Sequence, residues 1–70
     1  MSERSILKLN GIVYEYIKPL LLNELLDYLG FNLDIILIDY NGTIIQRQMW
    51  KTIEIQNQDN FEILTLAGGG

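Results

Sequence analysis

Ile35-Ile36-Leu37-Ile38-Asp39-Tyr40-Asn41-Gly42-Thr43-Ile44-Ile45-Gln46, residues 35–46, reads as two β-prone runs joined by a two-residue turn. Asn-Gly tolerates the positive φ angles that such a hairpin requires. The flanking runs, Asp34–Tyr40 and Thr43–Gln46, have the apolar and β-branched character of strands. The same dipeptide recurs at Asn10-Gly11, between Ser5–Asn10 and Ile12–Ile17, so the chain is expected to carry two hairpins. Between them Leu22, Leu25, Leu26 and Leu29 repeat at the spacing of one helix face. Pro19 suits the approach to the helix start, and Gly30 supplies its stop. Asn23, Glu24, Asp27 and Tyr28 take the opposite face, and Leu20 and Leu21 stand where a Ser or Thr cap is usual.

Downstream, Arg47–Lys51 reads as a turn or short helical piece, Ile53–Ile55 as a short extended stretch and Asn57–Asn60 as a polar turn. Phe61–Leu66 is the last strand, followed by Ala67-Gly68-Gly69-Gly70. The order ββαββ plus a final strand predicts an α+β domain, a mixed sheet of four to five strands with one helix on one face. The β-grasp, or ubiquitin-like, fold has this order and size, with its first and last strands parallel at the sheet centre. Residues 1–66 would form that domain and residues 67–70 a glycine tail.

Composition narrows the function. Seventy residues allow one small domain, and 49% hydrophobic content with 20% charge is too apolar for a disordered segment. The absence of Cys removes disulfides, thiolate metal sites and a thiol nucleophile; the absence of His removes the commonest general base. Asp34, Asp39, Glu54, Asp59 and Glu62 form no spaced pair that suggests hydrolysis, and are expected to be solvated charges. A net charge of −4 with five scattered basic residues argues against nucleic acid. The apolar run from Pro19 to Leu26 is broken by Asn23 and Glu24 and is too short for a membrane. The start, Met1-Ser2-Glu3-Arg4-Ser5, lacks the features of a secretory signal. The expected location is cytoplasmic, or the plastid stroma if the chain is organelle-encoded.

The third strand is apolar on both faces, whereas one helix covers only one. If Phe61 and Ile63 point at the helix, Leu64 and Leu66 point away. With Ile35 and Leu37 they would make an exposed patch of the kind that marks a protein interface. The competing reading is that Thr52–Asn60 folds over these residues. Trp50 is expected to anchor packing over the sheet edge, and Arg47 to pair locally with a carboxylate.

Asn41, Gly42, Ile44, Ile45, Arg47 and Trp50, followed by Asp59, Phe61, Glu62, Ile63, Gly69 and Gly70, carry a resemblance to the thiamine-biosynthesis sulfur carrier family (ThiS). The first half agrees through the Asn10-Gly11 hairpin and Glu24-Leu25-Leu26. The resemblance implies that no catalytic residue and no bound cofactor are needed. An adenylating activating enzyme would use ATP to activate the Gly70 carboxylate. Sulfur from a cysteine desulfurase route would convert it to a thiocarboxylate, which would give sulfur to thiazole synthase. Gly68 and Gly69, without Cβ atoms, would let the tail enter a narrow channel; Ile35, Leu37, Leu64 and Leu66 would dock both partners. Two departures stand out. Asn57-Gln58-Asp59 replaces the family's frequent Asp-Gly-Asp, with Asn57 expected to take the left-handed conformation, and the chain has three terminal glycines where two suffice. The small subunit of molybdopterin synthase and a ubiquitin-like conjugation tag share the diglycine end and remain alternatives, as does a terminus without function.

Overall fold

The computed structural model describes residues 4–66. The hairpins are β1 (Arg4–Leu9) with β2 (Ile12–Ile17), and β3 (Ile36–Tyr40) with β4 (Thr43–Ile45). Helix α1 (Leu22–Leu29) lies between them, and β5 (Asp59–Thr65) closes the chain order. The sheet runs β2-β1-β5-β3-β4. β1 and β5 pair in parallel at its centre, and every other pair is antiparallel. This is the expected α+β, β-grasp arrangement.

Both hairpins turn as their sequences require. Asn10 and Gly11 have φ of 51° and 81°, Asn41 and Gly42 of 50° and 95°, so both central residues are left-handed. Each turn is also tied to β5. The Asn10 N–H donates to Phe61 O, and Asn10 Oδ1 accepts from Ile63 N–H at 2.7 Å. Asn41 N–H donates to Asn60 O, and Asn41 Oδ1 accepts from Asn60 N–H at 2.8 Å. The two turns therefore clamp the central strand from either side.

Several boundaries differ from expectation for identifiable reasons. Asp34 and Ile35 belong to a 3-10 turn, Leu33–Ile35, rather than to β3, because Asn32 Oδ1 caps it by accepting from Asp34 N–H at 3.1 Å. The helix start, by contrast, agrees with expectation: Pro19 lies on its approach and Leu21 is its N-cap. Leu20 and Leu21 stay extended, with Ile55 N–H donating to Leu20 O and Leu22 N–H donating to Ile53 O, and α1 begins at Leu22. The missing Ser/Thr cap is partly replaced by Glu24, whose Oε1 accepts from Leu21 N–H at 2.9 Å. Gly30, with φ 80°, ends the helix as expected. In the turn before β5 it is Gln58, with φ 70°, that is left-handed, not Asn57. Asn57 Oδ1 instead accepts from Ile6 N–H and Gln58 N–H donates to Ile6 O, so both residues extend the β1–β5 pairing.

The core lies between the sheet and α1. Leu7, Leu9, Ile36, Ile38, Phe61 and Ile63 supply the sheet side, Leu22, Leu25 and Leu26 the helix side. Trp50 and Ile55 complete it, and Trp50, on the 3-10 helix Arg47–Thr52, is the packing anchor its sequence position predicted, buried in the core. Asn23 is half-buried beside it, not on a free helix face.

Candidate functional site

Strand alternation places two sets of side chains on the sheet face opposite α1. In β3, Ile36 and Ile38 point into the core and Leu37 points away; in β5, Phe61 and Ile63 point in and Leu64 points away. Leu37 and Leu64 stand directly opposite one another. Leu66 N–H donates to Ile35 O at 2.7 Å, which brings those two residues alongside. Ile35, Leu37, Leu64 and Leu66 are therefore neighbours, with exposures of 38%, 39%, 50% and 45%. The segment from Thr52 to Asn60 does not cover them. Ile55 is fully buried in the core, and the Tyr16 hydroxyl donates to its carbonyl at 2.9 Å.

Ile44 enlarges this face and was not anticipated. It is 54% exposed and pairs with Asp39, while its neighbour Ile45 packs on the core. The period-two pattern of Thr43–Ile45 carried that signal, because one of two adjacent isoleucines must face outward. Beyond Leu37–Leu64 the next pair on the same face is Asp39 opposite Glu62.

Among the described residues the helix side holds one buried carboxylate, which corrects the expectation of solvated charge at Asp59. Its residue exposure is 7%. Asp59 Oδ2 accepts from the Tyr40 hydroxyl at 2.9 Å and from Gln56 N–H at 2.8 Å, and Oδ1 accepts from Asn41 Nδ2 at 3.2 Å. These bonds join β5, the loop before it and the β3–β4 hairpin, so the charge is an architectural element. Burial raises the Tyr40 hydroxyl above its ordinary pKa, reinforced by its bond to Asp59 and by that carboxylate's charge. Burial also raises Tyr16, with the Asp59 and Glu54 charges acting in the same direction. Tyr40 further stacks on Phe61 with ring centroids 4.9 Å apart.

The remaining features offer little chemistry. Arg47 pairs with Asp34 at 2.7 Å, as a local ion pair in solvent of little energetic weight. A hollow of about 400 Å³ between α1 and the 3-10 helix is lined by Asn23, Leu33, Arg47, Gln48, Trp50 and Lys51. Among the described residues no group of three or more carboxylates is placed to hold a metal ion. Among the described residues no helix is long and apolar enough to cross a membrane. Ala67, Gly68, Gly69 and Gly70 lie outside the described residues.

The ThiS family profile matches residues 7–70. The fold superimposes on the crystal structure of the thiamine biosynthesis protein (ThiS) from Geobacter metallireducens with a TM-score of 0.79 at 25% identity, covering 93% of this chain and 99% of that one. By sequence the chain is 37% identical over 62 residues to the uncharacterized protein ycf40 of Trieres chinensis, covering 89% of this chain and 85% of the relative. It is 38% identical over 64 residues to the uncharacterized protein ycf40 of Porphyra purpurea, covering 91% and 90%.

Proposed function

The chain belongs to the ThiS family, and from that membership we propose that it is a sulfur carrier protein serving thiamine thiazole synthesis. The observation that carries this reading is the family match itself, which runs from Leu7 in β1 through β5 to Gly70. It supports a role for the glycine end together with the fold that presents it.

In this reading the chain is consumed and regenerated and is not itself a catalyst. The carboxylate of Gly70, ionised at neutral pH, attacks the α-phosphate of ATP within an adenylating activating enzyme. Pyrophosphate leaves and an acyl-adenylate forms. A persulfide sulfur then attacks the carbonyl and displaces AMP, giving an acyl disulfide, and a second thiol reduces its S–S bond, becoming a disulfide with the donor sulfur and releasing the thiocarboxylate. Thiazole synthase is the acceptor. Gly68 and Gly69 form the narrow stem that the channel of either enzyme admits, and Ile35, Leu37, Leu64 and Leu66 form the surface on which both dock. ATP belongs to the activating enzyme. The site of action is the compartment holding these enzymes, the cytoplasm or a plastid stroma.

The test is an intact-mass measurement after incubation with ATP, the adenylating enzyme of the same organism and a sulfur donor. Exchange of one oxygen for one sulfur is expected, and deletion of Gly70 should abolish it. Covalent adducts on lysines of other proteins would instead identify a conjugation tag. A chain left unmodified by an enzyme that modifies a known carrier would end the proposal.

A further inference from the structure

We propose that the open sheet face recognises a partner surface in which a basic side chain, best an arginine, sits between Asp39 and Glu62 beside the apolar contact. This rests on the carrier reading and adds the chemistry of the adenylating enzyme's docking surface.

Asp39 and Glu62 are directly opposite across β3 and β5, one pair along the same face from Leu37 and Leu64. Like charges in that position destabilise a sheet. Among the described residues no cation forms an ion pair with either of them. All five Lys and Arg residues fall within the described residues, and the ion pairs there are Arg4–Glu15 and Arg47–Asp34. Lys8, on the same face, stands opposite Asn60 and makes no ion pair among the described residues. Asp39 is also held in place, because its Oδ1 accepts from Gly42 N–H at 2.8 Å. Two uncompensated carboxylates thus border an exposed apolar surface, with Ile44 next to Asp39 on the other side.

This arrangement is complementary to a guanidinium. Its planar donors reach two carboxylates at once, and its weak hydration lets it enter an apolar interface more readily than an ammonium. The net charge of −4 would add attraction at long range to a basic partner surface. The rival explanation is that the charges only keep the apolar face from pairing with copies of itself.

Binding of the full chain to the adenylating enzyme of the same organism, measured across a range of salt, separates the two. The double variant Asp39→Asn/Glu62→Gln retains the acceptor for Gly42. It should bind roughly tenfold more weakly at low salt and lose most of the salt dependence. Leu64→Ala should also bind more weakly, but with the wild-type salt slope. Should the double variant unfold by circular dichroism, Glu62→Gln alone makes the same test at an exposed position. Wild-type affinity and salt slope in these charge variants, with or without new self-association, would overturn the inference. If the wild type gains sulfur in the mass assay while the charge variants bind unchanged, this inference alone falls. If the wild type neither binds nor gains sulfur, the carrier reading falls and takes the inference with it.

Discussion

At Asn41 the backbone is left-handed while the side chain bonds in two directions, accepting from Asn60 N–H through Oδ1 and donating to Asp59 through Nδ2. Asn10 has nearly the same φ and the same acceptor role toward Ile63, but among the described residues its amide donates no hydrogen bond to a carboxylate. Two identical Asn-Gly turns therefore differ in what they tolerate. Asn41→Asp replaces a donor with an anionic oxygen against a buried carboxylate, and should cost about 2 kcal/mol from the lost bond and the unpaired charge. Asn10→Asp keeps the acceptor and should change stability by no more than about 0.5 kcal/mol. Urea unfolding of both variants checks this, and equal losses would show that Asn41 acts only through its backbone.

Helix α1 has eight residues, too few to persist alone in water, so its stability comes from packing. The leucine spacing marked its buried stripe but ranked all four residues alike. Leu22 and Leu26 are fully enclosed, Leu25 nearly so, and Leu29 only half-buried at the helix end. Leu26→Ala should therefore cost about 3 kcal/mol and Leu29→Ala about 1 kcal/mol, read as shifts in the unfolding midpoint at constant slope. A similar loss in both would mean that the helix end is as tightly packed as its centre. Periods of two and 3.6, the Asn-Gly turns and Gly30 are local signals, and they were legible. So was the exposed apolar patch, because alternation along β3 and β5 decides which leucines face out. Distant partners decided the rest. Leu20 and Leu21 remain extended because Ile53 and Ile55 bond to that stretch, and Asp59 is buried because Tyr40 and Asn41 approach from another hairpin. No window around either site contains those contacts. Gln58 likewise takes the left-handed position because its N–H, and the Asn57 side chain, must meet Ile6 across the sheet.

On the scale of the molecule, the two faces of the sheet separate the two electrostatic roles. Asp59, with Tyr40 and the half-buried Tyr16, is on the helix side, where it holds the fold together; Asp39 and Glu62 are on the open side. The helix-side group gives the fold a definite response to alkali. Tyr40 and Tyr16 have folded-state pKa values raised above the ordinary tyrosine value of about 10. The folded chain then holds more protons than the unfolded chain once pH passes that ordinary value. Their contribution is fully present below about pH 10 and is lost as pH rises through the folded-state values. Urea unfolding followed from pH 8 upward should therefore show a decline from these groups beginning near pH 10. Tyr40→Phe removes the hydroxyl that bonds Asp59 and should lower stability at neutral pH by about 1 kcal/mol. The same variant should decline less steeply in alkali than the wild type, since one of the two groups no longer titrates. The open-face variant Asp39→Asn/Glu62→Gln should retain the wild-type alkaline profile, because its charges lie across the sheet from both tyrosines. An unchanged alkaline slope in Tyr40→Phe would show that Tyr40 carries no share of the response.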